Sequence, residues 1–191
     1  MHHLKKRWWQ IHRRYGDSTD IGDAMADAPV YVYKPVWVAN TFLFRAGEDG
    51  VSDVTPLKIQ KLVYNLQGWH LATTGFPAVG EQFEAWPKGP VLSSLYHTFK
   101  KYRWNRISEL AEDIEPATGE PKALIVAPSD EQFYSIFNAV WNRYRGYDGI
   151  QLSALTHAPG TPWTLARERG DQYIPDQEIR RHFVELGQRA G

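Results

Sequence analysis

The chain has 191 residues, 42% hydrophobic and 14% aromatic, with 22 Lys and Arg against 22 Asp and Glu, 8 Trp and no Cys. That length holds one domain with an appendage and a core that needs no staples, while the missing cysteines exclude disulfide frameworks, cysteine-ligated zinc, iron–sulfur clusters and thiol nucleophiles. Zero net charge argues against a whole-molecule basic field for nucleic acid but leaves local patches open; with no apolar run of roughly 18 residues and no secretory signal, the expected location is cytoplasmic, without membrane insertion.

Residues 1–34 read as a charge-blocked extension. Lys5, Lys6, Arg7, Arg13 and Arg14 precede Asp17, Asp20, Asp23 and Asp27 with no mixing of signs, a pattern of tails and arms rather than of packed faces. Its aromatics, Trp8, Trp9, Tyr15, Tyr31 and Tyr33, set it apart from chains that stay unfolded and suit an arm that orders on a partner or folds back on its own domain. The domain is expected over residues 35–191. Val38, Ala39, Phe42, Leu43 and Ala46 form one helical stripe ended by Gly47. A second helix is capped by Thr55, opened by Pro56 and closed by Gly75, with Ile59, Leu62, Val63, Leu66 and Trp69 or His70 inward. A third is expected from Pro90, burying Val91, Leu92, Leu95 and Phe99. The fourth, from Ser129 with Gln132 as capping-box partner, buries Phe133, Ile136, Phe137, Val140, Trp141 and Tyr144. Shorter helices follow over residues 149–157, 162–169 and 176–186, and brief strands are expected at residues 82–86 and 123–126. The fold class is mainly α (α+β): a helical domain with a small two- or three-stranded antiparallel sheet at most.

Signals for catalysis are missing. His70, His97 and His157 show no His-Glu-x-x-His spacing, so neither metal nor cofactor is expected. No nucleophile elbow and no phosphate-binding glycine loop occurs, and Glu81 and Glu84 are too generic for an acid/base pair. A hydrolase using His157 would need a polar cleft or metal around that residue. Lys100, Lys101, Tyr102, Arg103, Trp104 and Arg106 interleave charge with rings. Such a run stacks bases and neutralises phosphates, or forms the solvated end of a helix with the rings covering a core edge. Trp, Tyr and Arg also concentrate binding energy at protein interfaces.

Three blocks stand in order: Leu57-Lys58-Ile59-Gln60-Lys61-Leu62-Val63-Tyr64 running on to Gln67-Gly68-Trp69-His70-Leu71-Ala72; Glu84-Ala85-Trp86 with Lys88-Gly89-Pro90-Val91; and Leu155-Thr156-His157 with Pro162-Trp163. Over residues 36–184 this pattern resembles the Panacea domain, the family of SocA-like and phage-associated antitoxins. The resemblance implies a non-enzymatic helical domain that neutralises a toxin encoded beside it by direct contact, the cognate toxin being its partner. One branch of the family instead delivers its toxin to an ATP-dependent protease, and a DNA-binding autoregulator is a further alternative. Among the signature positions Gln67, Trp69, His70, Ala85, Trp86, Gly89, Pro90, Val91, Thr156, His157, Pro162 and Trp163, a structural role is expected, with Trp69, Trp86 and Trp163 sharing one aromatic core. Trp141 is assigned to the core as well, Trp104 is left for a partner and Trp37 has no assignment. The expected toxin-binding residues are Lys58, Lys61, Tyr64, Lys88, Tyr96 and Lys100, taken as exposed, together with Trp8 and Trp9. Lys58, Lys61 and Tyr64 lie three apart, on a helix face other than the apolar stripe, which would suit an acidic patch on a partner.

Overall fold

The computed structural model describes residues 31–190, which form seven α-helices with the second at their centre. Helix α1 (Pro35–Glu48) starts on a proline and buries Val38, Ala39, Phe42 and Ala46. It packs on α2 (Pro56–Thr74), whose ends follow local chemistry: the Thr55 hydroxyl accepts from Lys58 N, and Gly75 closes the helix at φ 82°, a left-handed conformation that glycine adopts without penalty. Helix α4 (Glu131–Tyr144) lays Phe133, Phe137, Val140 and Trp141 against both. Phe42 and Phe137 meet at 4.6 Å between ring centroids, and each such buried side chain contributes about 1.5–3 kcal/mol. The cap of α4 is Asp130, which accepts from Phe133 N, rather than Ser129. Asp130 also accepts the Tyr33 hydroxyl, so one carboxylate serves the helix end and the incoming chain together.

Tyr33, within the expected extension, is tied to the domain. Its N–H donates to Ala78 O at 2.9 Å, its carbonyl accepts from Gly80 N at 3.1 Å, and its ring meets Phe133 edge-on at 5.4 Å.

The sheet content is two small antiparallel ribbons. Strand β1 (Glu84–Trp86) pairs with β2 (Gly89–Val91) in the register Glu84↔Val91, Ala85↔Pro90 and Trp86↔Gly89. Residues 89–91 are thus a strand and not the start of a helix; α3 (Ser93–Phe99) begins after it and runs into a single 3-10 turn, Lys100–Tyr102. A second ribbon joins β3 (Asp113–Ile114) to β4 (Pro121–Lys122). The strand expected at residues 123–126 does not form. Side chains of α1 take the place of a partner strand there: Asn40 Nδ2 donates to Leu124 O at 2.9 Å and Thr41 Oγ1 accepts from Val126 N at 3.0 Å. Helices α5 (Gly149–Thr156), α6 (Pro162–Arg169) and α7 (Asp176–Ala190) complete the chain. The full capping box belongs to α5, between Asp148 and Gln151.

Helix α2 is the hub, touching α1, α3, α4, α5, α7 and β2. Gly68 lets α7 come close: a Cβ at this residue would lie 2.2 Å from the Phe183 ring.

Candidate functional site

Enclosure of α2 overturns the exposed basic face. Lys58 and Lys61 are 0% exposed and Tyr64 only 3%. A helix surrounded on every side has no solvent face, so its polar side chains end on the backbone of the surrounding segments. Lys58 Nζ donates to Asp53 Oδ1 at 2.7 Å and to Arg145 O, just past α4, at 2.8 Å. Lys61 Nζ donates to Pro90 O at 2.8 Å, and burial lowers its pKa to about 7. Gln60 forms a two-way clamp with Leu92, accepting from its N–H and donating to its carbonyl, both at 2.9 Å. Gln67 accepts from Ala78 N and Val79 N at 2.8 and 3.1 Å. Tyr64 meets Phe83 and Phe183 edge-on; among the described residues its hydroxyl has no hydrogen-bond partner, and burial pushes its ionisation up.

His70 is a satisfied core histidine: its Nδ1 donates to Phe76 O at 2.8 Å, and burial lowers its pKa. Trp69 stands apart from the other signature tryptophans, edge-on to Phe183 at 5.3 Å with Nε1 donating to Tyr144 Oη at 3.3 Å. The expected core shared by Trp69, Trp86 and Trp163 is therefore replaced by two separate groups, because the α2–α7 contact and the β1–β2 hairpin hold different rings.

At the hairpin the three blocks meet. Gly89 has φ 102°, and a Cβ there would lie 2.6 Å from Lys61 Nζ and 3.0 Å from Thr156 Oγ1; only glycine allows α2, the hairpin and α5 to close on this point. Behind it, Ser153 Oγ donates to Lys88 O at 3.0 Å, Thr156 Oγ1 to Ser153 O at 2.7 Å, and Thr161 Oγ1 to Thr156 O at 2.6 Å. Trp163 Nε1 donates to Trp86 O at 2.8 Å, and the His157 ring lies flat on Trp163 at 3.9 Å. His157 has a lowered pKa, chiefly through desolvation and then through the Lys61 charge. Ala85, Pro90 and Val91 are buried in the hairpin, and Pro162 opens α6 at its first turn.

Outward from this junction, the Trp86 ring packs on Tyr96 at 4.9 Å and its Nε1 donates to Glu84 Oε2 at 2.8 Å. Lys88, Tyr96, Lys100 and His157 are exposed; Trp86 and Trp163 are half-buried. The structure thus brings Lys88 and Tyr96 of the expected partner-binding set together with His157 and Trp163, with Lys100 beside His97 at the end of α3. Trp8 and Trp9 lie outside the described residues. Gln60, Ser153 and Thr161 escaped sequence reasoning. The partners of Gln60 and Ser153 are backbone atoms of distant segments, for which no spacing rule exists; Thr161 instead caps α6 locally, accepting from Thr164 N and donating to Thr156 O, and the Thr161-Pro162 pair was its available signal.

Trp37, unassigned in sequence, donates from Nε1 to Asp113 Oδ2 at 2.8 Å and pins the second ribbon to α1. An open cavity of about 1140 Å³ lies between the end of α1 and residues 106–110 and 122–125, lined mostly by aliphatic side chains and away from the signature junction. Among the described residues, no three His, Asp or Glu side chains form a group able to hold a metal ion, and no helix is long and apolar enough to cross a membrane.

Comparison with known proteins places these blocks. The family model for "Antitoxin SocA-like, Panacea domain" matches residues 59–164, and Antitoxin SocA of Caulobacter vibrioides (strain NA1000 / CB15N) is 32% identical over 132 residues, 67% of each chain. No solved structure matches. From the match over residues 59–164, which holds the three blocks that build the junction apart from Leu57 and Lys58, the chain belongs to the SocA-like antitoxin family with the Panacea domain.

Proposed function

We propose that the protein is an antitoxin that silences a toxin by direct, non-covalent protein–protein contact, through the face formed by Trp86, Lys88, Tyr96, His157 and Trp163. The observation that carries this reading is the convergence of three distant sequence blocks on one junction, rigid beneath and aromatic and cationic outside. Rings held by packing on one another lose little freedom on binding, which is what interface anchors require. Kinship with a relative named Antitoxin SocA supports the same reading.

Co-expression with the product of the adjoining reading frame tests it. Growth should be rescued and the two proteins should co-purify, while Tyr96→Ala with Lys88→Glu should weaken the complex at least tenfold in a protein that remains folded. A neighbour that is harmless alone, or that this protein neither binds nor restrains, would refute the reading.

A further inference from the structure

The combination of charge and aromatic surface expected on α2 occurs elsewhere in the fold, just past α3. After the turn Lys100–Tyr102 the chain passes through Arg103, Trp104 and Arg106 and re-enters the core at Ile107, whose N–H donates to Val54 O at 2.8 Å. Within this excursion Asn105 N donates to Tyr102 O at 2.8 Å, closing a turn whose first central residue is Arg103, at φ 54° and ψ −108°. That is type II′ geometry, which ordinarily takes glycine. Arg103 is the non-glycine residue with positive φ among the described residues, and a strained position that keeps a bulky side chain invites a functional explanation.

What the strained turn displays is Trp104, 77% exposed and the most exposed large hydrophobic side chain among the described residues, with the Arg103 guanidinium 6.0 Å from its ring centroid. Around it Lys100, Lys101, Arg103 and Arg106 are all exposed. Their single ion pair among the described residues is Lys101–Glu109, loose at 3.9 Å between two exposed side chains. Lys100 and Lys101 suit the C-terminal end of α3, where cations meet free carbonyls; Arg103 and Arg106 have no such account. The patch is continuous with the signature junction, since Tyr96 touches both Trp86 and His97, and His97 adjoins Lys100.

We infer that the turn at residues 100–106 grips an acidic segment of the toxin, with Trp104 as the apolar anchor and Arg103 and Arg106 as the charge contacts. This rests on the antitoxin reading and names the chemistry of the partner. Charge complementarity selects it: a cluster of exposed cations favours an anionic partner, and the planar fork of arginine matches a carboxylate in two parallel hydrogen bonds. A polypeptide fits better than nucleic acid. The whole chain is neutral, so no extended field gathers phosphates around the few cations of this turn.

The test uses the full chain, with the product of the adjoining reading frame as probe, by calorimetry at low and high salt. Trp104→Ala should weaken binding at least tenfold, and Arg103→Glu with Arg106→Glu at least a hundredfold, erasing most of the salt dependence. Arg180→Glu with Arg181→Glu on α7 should change affinity less than twofold. Arg103→Gly relieves the positive φ, so folding is not at risk; it should raise the thermal midpoint while lowering affinity. Charge reversal at residues 103 and 106 that leaves affinity within threefold of wild type overturns the inference and leaves the antitoxin reading standing. A wild-type protein that neither binds nor neutralises the probe removes both. Tight binding of its own promoter duplex, abolished by the same reversal, assigns the turn to nucleic acid and also overturns the inference.

Discussion

Lys61 carries an ammonium group into the interior with one carbonyl, Pro90 O, to receive it and, among the described residues, no carboxylate. Desolvation lowers its pKa from 10.5 to about 7. Between those values the unfolded chain keeps a proton that the folded chain releases, so stability rises with pH across that window, at most about 1.4 kcal/mol per pH unit for one group. Lys61→Met should remove most of that slope and, near pH 6, leave the protein at least as stable as wild type, because a buried uncompensated charge is exchanged for packing of similar volume. Urea midpoints between pH 7 and 9.5 provide the measurement; equal slopes for both proteins would contradict the assignment. The placement of Lys58 and Lys61 was not legible in the sequence. Three-residue spacing off the apolar stripe normally marks a wet face, but these long stems reach the carbonyls of neighbouring segments instead: Arg145 O beyond α4, and Pro90 O beside the end of α5.

Elements with local punctuation were readable from the chain. Thr55, Pro56 and Gly75 bound α2 as expected, and the α4 stripe is buried residue for residue. Elements whose existence depends on distant partners were not: residues 123–126 have strand composition, yet Asn40 and Thr41 take up their backbone groups. The same holds for the site. Order and composition of the three blocks picked out residues that meet at the hairpin, with a structural role expected for Trp86, His157 and Trp163, but their meeting point depends on Pro90 O, Trp86 O and Lys88 O, and a carbonyl looks alike at every position of a sequence. Gly68 has the same character, a glycine inside a helix whose reason is another helix. Gly68→Ala would drive a methyl into the Phe183 ring and should cost about 1–3 kcal/mol, as overpacking does. Adding Phe183→Leu should restore part of that loss in a double-mutant cycle, whereas strictly additive effects would show that the two residues do not compete for space.

At the scale of the molecule, zero net charge conceals an uneven distribution. Cations collect after α3, while paired charges occur elsewhere, as where Asp49 takes both Arg45 and Arg145. Such a surface can steer one partner without attracting polyanions at large.

Among the described residues the enclosed lysines of α2 also set two populations of amines apart, with Lys122 half-buried between them. Lys34, Lys88, Lys100 and Lys101 face solvent, whereas Lys58 and Lys61 do not. Brief acylation of the native protein at pH 7.5, read by peptide mass spectrometry, should therefore mark the first group and spare the second. Modification of Lys58 and Lys61 should appear only at the rate at which the whole domain opens, since α2 lies at its centre. Once open, every amine competes on the same terms, so the lag between the two populations becomes a clock on global unfolding. With toxin bound, Lys88 and Lys100 should join the silent group, and one spectrum would then report occupancy and folding side by side.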